Sequence, residues 1–156
     1  MYIRQTILNS LLSTLQTATG SAYTSNIGNV IKIYDGTPVV SDATLDAYIF
    51  PSEASYQSDH EFTNAHTPVS VEQNYEIVIY SNNGSGSLAT VSTAIDDVYT
   101  CLGNNFNSLV NGIPTLQLRM SSDDMQIFDN DFRYVLGNVQ LKTNYKIPNF
   151  HPSGSL

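Results

Sequence analysis

The segment Val71–Tyr80, with the sequence VEQNYEIVIY, decides the fold because it alternates in the manner of a β-strand with two distinct faces. One face of this strand is apolar and predicts packing on a core; it carries Tyr75, Ile77 and Ile79. The other face carries Glu76, Val78 and Tyr80. A strand face that is exposed only to water normally carries more polar residues than this face does. The segment therefore predicts a sheet with one buried face and a second, partly apolar face.

The last predicted strand, from about Phe132 to Tyr145, repeats this pattern. Apolar residues occupy one side of it, at Val135, Val139 and Leu141, but also the other side, at Tyr134 and Leu136. The chain has only two long helical patterns, and these can cover only one sheet face. The leftover aromatic and aliphatic residues predict that another subunit covers the second face.

The remaining elements are placed by periodicity and by turn residues. Helices are predicted over about 2–18 and 87–104, the second capped by Ser85 or Ser87 and ended by Gly103. The other strands are predicted at about 30–34, 45–50 (stopped by Pro51) and 116–120. These elements predict an α+β fold, a mostly antiparallel sheet of about five strands with two helices packed on one face. We expect one domain over residues 1–146 and a flexible C-terminal tail over 147–156.

Composition excludes several classes of function. The 156 residues carry a net charge of −8 with only six Lys and Arg, which argues against binding nucleic acid through its phosphates. The same charge suits a wall past which DNA slides without sticking. No apolar run approaches the roughly 18 residues of a membrane span, and the N-terminus does not read as a signal peptide. A single cysteine, Cys101, excludes an internal disulfide and points to a reducing compartment.

No motif predicts catalysis or a cofactor. The string GSGSLA at 84–89 matches a dinucleotide-binding fingerprint, but the acidic residue expected about 20 positions later is absent, so a strand-to-helix turn is the better interpretation. A small nucleotide-binding domain using this loop remains the alternative from a different class. His60 and His66 lack the partners of a zinc site. Cys101 lies near the apolar stripe of the second helix and is predicted to be buried.

Two polar segments are predicted to be loops. Residues 51–68 form a long loop, and loops of this length are commonly functional. An acidic loop (SSDDMQIFDND) joins the last two strands. Its carboxylates form a candidate lumen or docking loop, and they are Asp123, Asp124, Asp129 and Asp131. The pair Asp96-Asp97 is predicted to be solvated on the second helix.

Several short strings, in their order along the chain, resemble a known family. Ile3–Leu8 (IRQTIL), with the leucines that follow it, looks like the first helix of that family. Tyr34–Val39 (YDGTPV) is similar to its aromatic-Asp-Gly-x-Pro turn, and Asp46–Phe50 (DAYIF) falls where it has an apolar strand before a variable loop. Leu136–Tyr145 resembles its last strand, which ends in tyrosine. The family is that of the tail terminator proteins of long-tailed bacteriophages, of the lambda minor tail protein U type.

The resemblance implies a structural virion protein, not an enzyme, with no cofactor and no metal. Such a protein forms a homohexameric ring that caps the tail tube, stops its polymerisation and provides the interface to head and neck proteins. Its implied partners are itself, the tail tube protein and a head completion or neck protein, and DNA passes through the ring without specific binding. It is implied to be assembled in the host cytoplasm and to lie at the head-proximal end of the tail. A different neck, head-tail connector or tail-tube protein of the same particle is the alternative.

Aromatic and arginine side chains dominate the energetics of protein interfaces. The predicted subunit or partner contacts are therefore Tyr56, Tyr80, Arg133, Tyr134, Tyr145 and Phe150. The loop from Glu53 to His66 is predicted to contribute to the same contacts.

Overall fold

The computed structural model describes residues 2–36, 44–58, 61, 65, 67–113, 115–127 and 134–150. Its helices are α1 (Ile3–Leu15), α2 (Ser87–Asn104) and the short α3 (Phe106–Asn111). Its strands are β1 (Ile31–Ile33), β2 (Asp46–Gln57), β3 (Pro68–Ser81), β4 (Gln117–Ile127) and β5 (Val135–Pro148). Single 3₁₀ turns lie at Ile27–Asn29 and Gly84–Gly86.

One sheet contains all five strands, in the order β1-β2-β3-β5-β4. β1 is parallel to β2, and the three other neighbouring pairs are antiparallel. The central pair, β3 and β5, stays in register from Pro68–Pro148 to Ser81–Val135 without a bulge. The predicted α+β fold with a mostly antiparallel sheet is therefore confirmed.

The strict alternation of β3 and β5 produces one fully buried face. In both strands the odd-numbered positions are buried and most even-numbered positions are half-buried. Helix α1 supplies Ile7, Leu8, Leu11 and Leu15 to this core. Helix α2 supplies Val91, Ala94, Ile95, Val98, Cys101 and Leu102. These residues of both helices form one core cluster with the odd-numbered residues of β3 and β5, so both helices lie on the same sheet face.

Gly137 sets how closely α2 approaches the sheet. A Cβ atom added at Gly137 would lie 2.6 Å from Cγ1 of Val91 and 3.2 Å from Cδ1 of Ile95. These two side chains are one helical turn apart, and both pack against the backbone of β5 at Gly137, where no side chain intervenes. Gly137 therefore makes room for α2 rather than providing backbone flexibility.

Strand β2 continues past Pro51, so the prediction that Pro51 stops it was wrong. The register of β2 against β3 shifts between Pro51 and Ala54, and this bulge lets a residue without an N–H donor sit in the strand. The buried amide of Gln73 supports the bulge, because its Nε2 lies 3.3 Å from both carbonyl oxygens of Ser52 and Glu53. The predicted loop at 51–68 is correspondingly shorter at its start.

The predicted bounds of α2 are confirmed, whereas α1 is shorter than predicted and the residues that begin and end α2 act differently. Helix α2 begins at Ser87 without a side-chain cap. The hydroxyl of Ser87 instead accepts the Asn83 N–H at 2.6 Å and donates to the Gly84 carbonyl at 3.0 Å. Gly103 lies inside α2, which ends at Asn104 and leads into α3, a helix that was not predicted.

Asp97 is buried, so the prediction of a solvated Asp96-Asp97 pair holds only for Asp96. The side chain of Asp97 is 8% exposed, and its Oδ2 accepts the Ser25 N–H at 2.7 Å and the Ser25 hydroxyl at 2.6 Å. These bonds tie the loop after α1 to the middle of α2.

Candidate docking surfaces

The second face of the sheet is aromatic at its β1–β2 end. Register places Tyr48 and Phe50 of β2 on this face beside Val78 of β3. The ring of Tyr34 meets that of Tyr48 edge-on at 5.6 Å and that of Phe50 at 5.8 Å. The ammonium group of Lys32 lies 4.9 Å from the Tyr48 ring centre, in a cation–π contact. Part of the apolar second face is thus covered by the chain itself, and Tyr48 is only 2% exposed.

Tyr80 and Tyr134, two of the predicted contact residues, lie together on this face. Their ring centres are 6.5 Å apart, and both side chains are half-buried. The middle of the face is polar, because Asn138 donates to Glu76 at 2.8 Å and Lys142 pairs with Glu72 at 3.1 Å. The pair is therefore a local, half-buried aromatic patch beside a polar, internally bonded region.

A second group of predicted residues meets at the far corner of the sheet. Tyr56 and Phe150 line a cleft of about 520 Å³ together with Val69, Ile147 and Asn149. Phe150 is 85% exposed, and the Asn149 N–H donates to the Thr67 carbonyl at 2.8 Å, which holds the end of β5 against the start of β3. We call this group of five residues the corner cleft.

Arg4 ties helix α1 to the corner cleft. Its guanidinium donates to the Tyr56 hydroxyl at 2.8 Å, and its carbonyl accepts the Tyr75 hydroxyl at 2.9 Å. Tyr145 lies inside this corner at 5% exposure, where burial raises its pKa and the nearby Arg4 partly opposes that rise. Little of the Tyr145 ring is left for a partner, in contrast to Tyr56 and Phe150.

Strand β4 is the third surface, and it is much longer than predicted. The segment Ser121–Ile127, predicted as part of a loop, continues the strand and pairs with β5. Every residue from Arg119 to Ile127 is exposed. Asp123 and Asp124 therefore lie on a strand, and they point to opposite faces of it. The other residues of the candidate acidic loop, Asp129 and Asp131, and the predicted contact Arg133 lie outside the described residues.

An apolar groove runs between β4 and the C-terminal half of α2. Its volume is about 350 Å³, and its lining includes Tyr99, Leu102, Phe106, Leu118, Met120 and Leu141. At its rim the Tyr99 hydroxyl donates to the Asp123 carboxylate at 2.8 Å. Phe106 and Met120 are both well exposed, so the groove is open to solvent.

A signal for this surface is present in the sequence. Leu118 and Met120 are even-numbered, whereas Met125 and Ile127 are odd-numbered, although all four lie on the helix side of β4. The change of parity marks the bulge between Met120 and Ser122, since a bulge inserts one extra residue into a strand. Phe106 had no such signal, because its position depends on the unpredicted helix α3.

The described residues contain no group of three or more His, Cys, Asp and Glu side chains placed to hold a metal ion. His60 and His66 lie outside those residues. Cys101 is fully buried, as predicted, and its thiol donates to the Thr14 carbonyl at 3.3 Å. None of the described helices is long and apolar enough to span a membrane.

Tyr48 makes the second face sensitive to alkaline pH. Burial and the hydrogen bond to Asp46 raise the pKa of Tyr48 to about 12. A raised pKa means that the folded protein holds this proton more tightly than the unfolded chain does. The stabilisation is therefore complete below pH about 10 and is lost as the pH rises towards about 12.

We expect the free energy of unfolding of the wild type to fall across this window more steeply than that of Tyr48→Phe. The excess slope should reach at most about 1.4 kcal/mol per pH unit, the value for one proton. Urea unfolding of both proteins at neutral pH and at steps between about pH 10 and 12 measures it. Equal slopes would show that Tyr48 ionises as easily when folded as when unfolded.

Comparison with known proteins gives a fold but no family. No protein-family model matches the sequence, and no curated protein matches it. Among solved structures, the fold is similar to a chain in the structure described as "Virion of native gene transfer agent (GTA) particle", with a TM-score of 0.61. The two chains are 13% identical, and the match covers 94% of this chain and 99% of that one. The two proteins thus share one fold along nearly their whole lengths.

Proposed function

We propose that this chain is a structural, non-enzymatic protein of a virion, and that it acts as a tail terminator. In this role a ring of copies, six by the resemblance, caps the tail tube, stops its polymerisation and presents a surface to head or neck proteins. The observation that carries the proposal is the end-to-end fold similarity to a chain of a virion particle. The family resemblance of the sequence supports the same conclusion independently.

The distribution of surfaces supports a ring. A closed head-to-tail ring needs two different, complementary surfaces on each subunit. The Tyr80–Tyr134 patch and the corner cleft lie at opposite ends of the central strands, because Tyr80 is near the end of β3 and Phe150 follows the end of β5. One copy cannot bring these two surfaces together by itself. We propose that they meet between neighbouring copies, with Phe150 as the projecting side chain.

The net charge of −8 supports passage of DNA through such a ring. Like charge disfavours adhesion of the phosphate backbone to the protein. A pore wall with this character lets the DNA move without specific contacts.

The mass of the purified protein across a concentration series tests the proposal, measured by light scattering or native mass spectrometry. A discrete ring near six copies, or a monomer that caps isolated tail tubes, is the expected result. Open-ended polymers would instead identify a tube protein. A monomer that leaves isolated tubes free to grow would overturn the terminator function.

Two variants, each altered in one of the two surfaces, test the proposed contact between neighbouring copies, which we call the junction. Tyr80→Asp and Phe150→Asp should each prevent ring formation, because each places a carboxylate in a contact that excludes water. A mixture of the two should form two-copy complexes, since one intact junction remains possible between them. Leu88→Asp, an exposed position at the start of α2, is the matched control and should still form the ring. Rings formed by both interface variants would show that the junction lies elsewhere.

A further inference from the structure

Arg4 carries a positive charge that the described part of the chain does not neutralise. Its side chain is exposed and donates to the Tyr56 hydroxyl at 2.8 Å, but none of the described carboxylates forms an ion pair with it. The lysines of the sheet, Lys32 and Lys142, each lie beside a carboxylate. A guanidinium has five N–H donors and can hold a carboxylate with two of them at once. Arg4 therefore brings surplus donors to the corner cleft.

Glu76 is the opposite case, an acid without a cation. It is half-buried on the second face of the sheet, and its Oε1 accepts the Asn138 amide at 2.8 Å. No described Lys or Arg pairs with it, although a carboxylate partly removed from water is stabilised by a nearby cation. The register places Asp124 opposite Asn138 on the same face, which adds a second negative charge. This part of the second face is therefore short of positive charge.

Hydrogen-bond donors are also scarce around Glu76. The side-chain oxygens of Asn74 and Asn138 are buried on either side of it, and no described residue donates a hydrogen bond to them. Buried acceptors without a donor are uncommon in folded proteins. The second face thus has surplus acceptors, whereas the corner cleft has surplus donors.

The positions of these two groups suit the proposed junction. Glu76 and Tyr80 lie four residues apart on the same face of β3, about 13 Å along the strand. At the other surface Tyr56 links Arg4 to Phe150, because it lines the cleft with Phe150 and its hydroxyl accepts the guanidinium N–H. Each surface therefore combines an aromatic group with one charged group, and the two charges are opposite.

We propose that Arg4 of one copy binds Glu76 of the next copy across the junction. This inference rests on the proposed ring and adds to it a charge contact that sets how neighbouring copies meet. Copies that met cleft to cleft, or patch to patch, would bring like charges together, which is unfavourable. The ion pair therefore favours contact between unlike surfaces, as a head-to-tail ring requires.

Exchange of the two charges tests this proposal on the full chain. Arg4→Glu and Glu76→Arg should each raise the concentration needed for ring formation at least about tenfold, because each places like charges in the junction. An equal mixture of the two variants should form rings at about the wild-type concentration, since every junction between unlike variants then joins opposite charges. Native mass spectrometry should find both variants in equal numbers in these rings. If the wild type assembles only on tail tubes, capping of isolated tubes is the readout for the same proteins.

Two further variants serve as controls. Asp96→Arg reverses an exposed carboxylate on α2 and should assemble like the wild type. Glu76→Gln keeps an acceptor for the Asn138 amide and should weaken assembly without a change of fold, which circular dichroism reports for every variant.

The outcomes separate this inference from the proposed function. Assembly of Arg4→Glu or Glu76→Arg at the wild-type concentration, or a mixture of the two folded variants that does not assemble, would overturn the ion pair and leave the ring proposal standing. A wild type that neither forms a ring nor caps tubes would overturn both.

Discussion

Replacing Gly137 with valine is expected to lower the free energy of unfolding by about 3 kcal/mol, the upper part of the range for overpacked cores. A single Cβ at this position would already lie 2.6 Å from Val91, and valine adds two further methyl groups. Helix α2 must then move away from β5 or distort its side chains. Urea unfolding followed by far-ultraviolet circular dichroism measures the loss.

Gly103→Ala is the matched control for this experiment. Gly103 lies in α2 as well, but a Cβ added there meets no atom within 4 Å. Replacing this helical glycine with alanine should raise the free energy of unfolding. The gain should be about 0.5 kcal/mol, because Gly103 lies next to the end of α2. Opposite signs for the two substitutions would support the close approach of α2 to β5 at Gly137. An unchanged stability of Gly137→Val would contradict it.

Replacing Asp97 with alanine is expected to lower the free energy of unfolding by about 2 kcal/mol, because two donors of Ser25 lose their charged acceptor. The Ser25 N–H and hydroxyl donate to the same carboxylate oxygen at 2.7 and 2.6 Å. The loop between α1 and β1 should also exchange its amide hydrogens faster in the variant. Hydrogen exchange separates this local loosening from the global loss of stability.

Asp96→Ala is the control on the neighbouring residue. Both aspartates lie in the interior of α2, so both substitutions gain the same helix propensity. Asp96 is exposed, and its replacement should leave stability within about 0.5 kcal/mol of the wild type. Equal losses for the two variants would show that the Ser25 contact contributes nothing beyond the helix itself.

The core and the order of elements follow from the sequence because they depend on local periodicity. Alternation in β3 correctly identified Tyr75, Ile77 and Ile79 as buried. The same reasoning placed α2 within a residue of its actual bounds and put both helices on one face. The partly apolar second face was also predictable, although the sequence did not show that Tyr34 and Lys32 cover part of it.

The docking surfaces depended on contacts between distant parts of the chain. Tyr56 and Phe150, far apart in sequence, meet only because β2, β3 and β5 pair in register at the corner of the sheet. The bulge that carries β2 past Pro51 relies on Gln73 from the neighbouring strand. Local turn signals could not indicate either arrangement, since the partner residues lie on other strands.

Periodicity by itself therefore determined which residues form the core, which elements they form and that one sheet face is buried by two helices. Only the tertiary structure decided that Asp97 is buried, that Gly137 admits α2 and that β4 continues through the acidic segment as an open edge. The physical reason is that hydrophobic alternation acts between residues close in sequence. Burial of a polar group and pairing of an edge strand depend instead on what the folded chain places beside them.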